Sequence, residues 1–350
     1  MKTDMGKTAI RVQGGTGTMK VNSVSGQIDT KDLGRTLMHE HIIAANHTMC
    51  RMFPDWYDHD EFIDRACRLI ARAKRSGVRT IVDMTPFQLG RDARVLREVA
   101  EKAEMQIIAC TGYHWFEDLC LIDKGSEFLA ERLIKDIEVG MEGTDIKASL
   151  IKCATDRPGM SDFAKRLLKA AVIAHKATGA PLSTHTASPQ GAAEQMAFFE
   201  AEGVDPKRVI IGHVGDTDDV SFLESVARRG FNIGHDRFGV DRRHPNMLSS
   251  EKRAETVAAL CRAGYLKQIV MSHDAACFLD YWEGRENMGN PWQSTRQSDP
   301  EKIEFQFAFI CETAAGWLKQ MGLTQRELDT ILIDTPRRIF ESRTEACDEK

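Results

Sequence analysis

Residues 36–42 read TLMHEHI, with His39 and His41 flanking Glu40 at the end of an apolar run. On a strand, side chains alternate faces, so the two imidazoles would point the same way, roughly 7 Å apart along the backbone. Two histidines converging from one strand are half a metal site. Further candidates recur along the chain, each closing a short apolar run. They are Lys152 in ASLIKCA, His185 in PLSTHT, His213 in RVIIGH and Asp274 in QIVMSHD. Singly, each has an ordinary explanation: a structural hydrogen bond for a histidine, a surface position for Lys152, a helix cap for Asp274. Their coincidence at five strand ends points to a site.

Lys152 narrows the chemistry. A protonated amine beside four cation-binding histidines would be repelled and costly to bury. Lysine shifts its pKa readily when buried and can then present a neutral amine. Such an amine can add carbon dioxide, giving a carbamate whose two oxygens can bridge two cations. Six protein ligands suit two metals better than one, and a water shared between them would yield hydroxide at neutral pH.

The elements that must position these groups are legible as eight short apolar runs, at 35–41, 79–85, 106–112, 148–154, 181–186, 208–213, 231–236 and 268–274. Helical patterns such as DEFIDRACRLIARAKRSG and SDFAKRLLKAAVIAHKATG lie between them, each stopped by glycine. Eight strands alternating with helices predict a parallel sheet that closes into a (β/α)8 TIM barrel. An open doubly wound sheet is the alternative, but no GxGxxG follows the first strand. In a barrel the C-terminal strand ends share one rim, so residues far apart in sequence would meet there. The chain reads as one domain: 1–33 is an N-terminal extension with a short β-hairpin, 34–342 is the barrel, and the tail TEACDEK is frayed.

Composition bounds the function class. The chain has 350 residues, 42% hydrophobic and 28% charged, ordinary for a globular protein with a large core. Its net charge is -5, and no basic stripe with interleaved aromatics suggests nucleic acid. No apolar window approaches the roughly eighteen residues of a membrane helix. The opening MKTDMGKTAIRVQGG lacks the apolar segment of a secretory signal. Nine cysteines without a C-x-x-C pair argue against a disulfide framework or zinc ribbon and fit a reducing cytoplasm. Among the other histidines, His47, His59, His175 and His244 read as surface or packing residues. His235, beside Asp236, reads as a partner behind a ligand. His273 and Glu40 alternate away from the rim and read as structural.

With these motifs in place, the chain resembles the phosphotriesterase-like lactonases of the amidohydrolase superfamily, from about Gly26 to Phe340. DLGRTLMHEH resembles the family's opening motif and IKCATD its carboxylated-lysine strand. STHTA and IIGHVGDTDD resemble the fifth and sixth strand ends, and VMSHDAAC the eighth. The resemblance implies that His39, His41 and Asp274 hold a more buried metal, His185 and His213 a more exposed one, and carboxylated Lys152 bridges them. It further implies attack by a bridging hydroxide, with Asp274 accepting the proton and passing it to the leaving group. Zinc is the first expectation for the metals, with cobalt, manganese or iron as alternatives.

The segment GHDRFGVD resembles the lactonase branch, where Arg237 would line the substrate pocket. The long loop after Asp274 would offer Phe278, Leu279, Tyr281, Trp282 and Trp292 to an acyl chain. Two features depart from the family. His114, with Tyr113 adjacent, stands where such lactonases carry a tyrosine beside the metals, so both are assigned to substrate contact. Ala275 and Ala276 replace bulkier residues and would enlarge the pocket. The expectation is therefore a hydrolase of lactones, N-acyl homoserine lactones among them, with promiscuous organophosphate triesterase activity. Hydrolysis of an N-acyl amino acid or another carboxylic ester or amide is the alternative, and a binding protein that has lost catalysis is a third reading. The resemblance also implies a homodimer.

Overall fold

The computed structural model describes residues 19–156, 159–242, 244, 246–280 and 307–341. Strands β1 (Lys20–Ser23) and β2 (Gly26–Asp29) pair antiparallel as the expected N-terminal hairpin. A second, parallel sheet follows. It contains β3 (Arg35–Ala44), β4 (Val78–Asp83), β5 (Gln106–Gly112), β6 (Leu150–Ala154), β7 (Leu182–His185), β8 (Val209–Ile211), β9 (Asn232–His235), β10 (Ile269–Met271) and β11 (Ala276–Leu279). Neighbours run in sequence order from β3 to β10, with β11 on the other side of β3.

β10 and β11 are two halves of one eighth strand. β10 pairs with β9, then the chain bends and β11 pairs with β3. Three backbone bonds stitch the bend on both sides: Ser272 N to the carbonyl of His235, Asp274 N to that of His39, and His41 N to that of Ala275. The sheet closes through this step, giving the (β/α)8 barrel read from the sequence.

Between the strands lie α1 (His47–Met52), α2 (His59–Arg75), α3 (Ala93–Ala103), α4 (Ser126–Glu138), α5 (Asp162–Thr178), α6 (Pro189–Ala201), α7 (Val220–Arg228) and α8 (Ser250–Arg262). Their limits follow from local chemistry. Asp58 caps α2 by accepting from Glu61 N, and its stripe of Phe62, Ile63, Ala66, Leu69, Ile70 and Ala73 recurs at helical spacing and is buried against the sheet. Ser161 caps α5 through Ala164 N, and Gly179 ends it in the left-handed conformation.

The core has two layers. Between sheet and helices lies a continuous apolar shell. Inside the barrel, Met38, Val82, Ile108, Leu150, Ile210 and Val270 fill the axis. Val21 and Ile28 of the hairpin and Ile339 and Phe340 near the C-terminus pack against this inner cluster.

Several site residues stand elsewhere on their strands than expected. His39 and His41 lie inside β3, which runs on to Ala44, and Lys152 is the middle residue of β6. His213 comes two residues after β8, and Asp274 sits in the bend between β10 and β11. Strands in a barrel are tilted and staggered, so one height on the rim corresponds to different positions on successive strands.

Candidate metal centre

His39 is buried, and its Nδ1 donates to Asp236 Oδ2 at 3.1 Å. That bond fixes the tautomer and turns Nε2 inward, 2.9 Å from Lys152 Nζ and 3.6 Å from Asp274 Oδ1. His41 pairs through Nδ1 with Thr85 Oγ1 at 2.8 Å, which brings its Nε2 to 3.1 Å from Asp274 Oδ1. The ligand atoms of His39, His41 and Asp274 all lie within 4.8 Å of one another. Register between β3 and β4 breaks from Leu37 to Glu40, within the ligand-bearing stretch.

Lys152 is 2% exposed, and its amine meets only His39 Nε2 and, at 3.5 Å, the Thr184 carbonyl. No carboxylate among the described residues lies in ion-pair range of it. Burial holds the amine below the usual lysine range, against the opposing pull of Asp274 and Asp236. Its strand neighbour in the register is Gly112, where a Cβ would stand 1.9 Å from the Lys152 carbonyl oxygen.

From the other side come His185 and His213, with ring centroids 4.7 Å apart. His185 donates through Nε2 to Asp156 Oδ2 at 2.8 Å, leaving Nδ1 as its free ligand atom. His213 directs both its backbone N–H and its Nδ1 at Asp236, the ring bond being 2.9 Å. Asp236 therefore supports two imidazoles at once. Burial favours its neutral form, but His213 and His39 outweigh that and hold its carboxyl well below the usual range. Burial likewise keeps His39, His185 and His213 below the ordinary imidazole range.

Asp274 joins the two halves. Its Oδ1 faces the imidazoles of β3, and its Oδ2 accepts from Arg237 Nε at 2.8 Å. Arg237 also donates through Nη1 to Asp216 Oδ2 at 2.6 Å, and Asp216 accepts in turn from Arg253. Burial would raise the Asp274 carboxyl, but His213 and Arg237 hold it well below its usual range. Burial would similarly lower Arg237, which Asp216 and Asp274 override. His213 and Asp274 are two of only four non-glycine described residues with positive φ, at 62° and 51°. Such strained backbone collects where surrounding contacts dictate a side chain's direction.

This donor set fits divalent cations. His39, His41, His185 and His213 each use one nitrogen on a partner behind them and present the other to a shared space. A carboxylate enters the same space, and the buried amine has no counter-ion among the described residues.

Other expectations need correcting. Tyr113 is buried away from the rim, donating its hydroxyl to the Leu129 carbonyl at 3.0 Å. Alternation on the chain after β5 sends it into the helix layer and His114 toward the centre. Phe278 is also buried, packed on Tyr57 and Phe62 with centroids 5.3 and 6.2 Å away, because β11 points it at α2. Ala275 and Ala276 are buried too. Tyr281, Trp282 and Trp292 lie outside the described residues. His235 is fully buried with both ring nitrogens unpartnered, and the partner behind the ligands is its neighbour Asp236. As expected, Glu40 and His273 face away: Glu40 accepts from Ser272 Oγ, His273 N, His273 Nδ1 and Ala275 N, stapling the eighth strand to β3.

Sequence reasoning missed Asp236, Asp156, Asp216 and Thr85. Each lies one to three residues beyond a strand or a named ligand. An acidic or hydroxyl side chain at that offset is the available signal.

A (β/α)8 barrel whose rim gathers imidazoles, a buried lysine and an aspartate defines a class of metal-dependent hydrolases. The chain belongs to the phosphotriesterase family, whose family model matches residues 19–340. A phosphotriesterase homology protein of Mycobacterium tuberculosis is 38% identical over 92% of this chain and 98% of its own length. An aryldialkylphosphatase of Saccharolobus solfataricus is 33% identical, covering 89% and 96%. A phospho-furanose lactonase of Mycoplasmopsis agalactiae is 26% identical, covering 91% of each.

Proposed function

We propose that this protein is a binuclear hydrolase that opens lactones, N-acyl homoserine lactones among them, with secondary action on organophosphate triesters. The observation that carries this reading is the Asp274 carboxylate, set between the β3 imidazoles and Arg237 beside a buried lysine with no carboxylate in ion-pair range among the described residues. His39, His41 and Asp274 would hold one divalent cation, His185 and His213 the other, and Lys152, carboxylated by carbon dioxide, would link them. Zinc is the first cation to test. Bound there, the pair supplies Lewis acidity, making a water nucleophilic at neutral pH and stabilising charge on a carbonyl or phosphoryl oxygen.

The chain's own residues do the rest. Asp274, ionised and pinned by Arg237, accepts the proton lost by the attacking water and returns it to the departing ring oxygen. One water is consumed, the acyl carbon–oxygen bond breaks, and a carboxylate and a hydroxyl result, the second proton of the water being released to solvent. Arg237 is committed to Asp274 and Asp216 at Nε and Nη1, so it positions the acid–base group and meets the substrate only through its remaining edge. The relatives' names, a lactonase and a dialkylphosphatase, support one site acting on both carbonyl and phosphoryl centres.

The test is ring opening of a series of acyl homoserine lactones and simple lactones by the metal-loaded protein, followed with a pH indicator and controlled by chelation. Turnover that depends on metal and rises with acyl length is expected. No turnover on any lactone, with turnover on linear N-acyl amino acids, would replace the substrate class.

A further inference from the structure

The metal cluster contains a fifth imidazole that the ligand scheme does not use. His114 is 4% exposed, and its ring centroid lies 5.1 Å from that of His185. The ring pairs already assigned as ligands, His185 with His213, His39 with His213 and His39 with His41, are spaced 4.7, 4.8 and 5.7 Å. His114 therefore stands at ligand spacing from its neighbour. Its Nδ1 is buried and has no hydrogen-bond partner among the described residues. Its backbone is nevertheless fixed: His114 N donates to Gln88 Oε1 at 2.7 Å, and Gln88 Nε2 donates to the Phe116 carbonyl at 2.9 Å. A buried polar atom without a partner calls for an explanation, and an absent ion is one of the few available.

We propose that His114 Nδ1 is a further nitrogen ligand of the more exposed cation, beside His185. This deepens the two-metal reading and rests on it. The assignment gives the orphaned nitrogen a partner. It also gives the cation served only by His185, His213 and the lysine a third imidazole, which raises its nitrogen count and favours zinc or cobalt over manganese.

The experiment uses the full chain loaded with cobalt(II). Proton spectra of the paramagnetic protein should show one hyperfine-shifted, solvent-exchangeable ring N–H for each of His39, His41, His185, His213 and His114. His114→Gln should remove one of these signals and change the visible cobalt absorption. It should also weaken the weaker of two cobalt affinities by at least about tenfold, as losing even an outer-layer partner does. His114→Asn, judged by circular dichroism, guards against a variant that fails to fold, and the wild-type spectrum needs no variant at all. A wild-type spectrum without the His114 signal, or variants that bind both cobalt ions unchanged while KM alone rises, would overturn the assignment and leave His114 as a substrate contact. A wild-type chain that binds no second cobalt would overturn the two-metal reading itself, a different result.

Discussion

Asp236 shows how much of the site depends on residues that never touch the reaction. It is buried and receives hydrogen bonds from His39 and His213, fixing both tautomers. Asp236→Ala should lower affinity for divalent cations about ten- to a hundredfold. Titration of the metal-free protein with zinc in a competing chelator would reveal this, and unchanged affinity would make Asp236 a packing residue. Asp274→Asn keeps the size and most contacts of the side chain but removes the base. Turnover on any lactone that the protein opens should fall about a hundred- to ten-thousandfold with circular dichroism unchanged. A loss under tenfold would move the proton transfer elsewhere. At this scale the sequence announced the ligand candidates well, because His and Lys closing apolar runs are conspicuous. Their supports were harder to see. Parity placed Glu40 and His273 on the far side, whereas the partner role read for His235 at the end of β9 belongs to the next residue, Asp236.

At the scale of elements, the eight strands and their order could be read from apolar runs, since parallel strands buried on both faces are nearly continuous in hydrophobicity. β5 has the limits read from its sequence. The split of the eighth strand could not be read, because SHDAAC carries neither glycine nor proline. The bend is imposed from outside by Glu40, whose carboxylate collects the donors of Ser272, His273 and Ala275. Close approach of neighbouring strands is equally invisible in one sequence. Gly112 has φ of 134° and leaves no room for a Cβ against the Lys152 carbonyl. Gly112→Ala should destabilise the fold by about 3 kcal/mol through strain and forced strand separation. Urea unfolding of the metal-free protein measures it, and a shift below about 1 kcal/mol would mean that β5 and β6 part easily.

For the whole molecule, burial of neutral imidazoles makes stability depend on pH. Burial and the nearby Arg253 guanidinium push His235 down to about 3. In the unfolded chain it titrates near 6.5. Between those values the unfolded state takes up a proton that the folded state refuses. Stability present above about 6.5 is therefore lost as pH falls, at about 1.4 kcal/mol per pH unit for this one group. His39, His185 and His213 act with the same sign. Metal-free His235→Leu should consequently lose less stability than wild type between pH 7 and pH 5, as read from urea midpoints. Equal losses would mean that His235 is protonated in the folded protein. The broken eighth strand has a consequence in time. A ribosome delivers β3 through β9 before the segment that joins them, so the growing sheet waits with β3 and β9 as open edges. During that wait Glu40 has none of its four donors, and the ligand set lacks its aspartate. The segment that locks the barrel also carries Asp274. On the proposed assignment, a nascent or truncated chain that has not closed cannot hydrolyse anything, and catalysis begins only when the fold is finished.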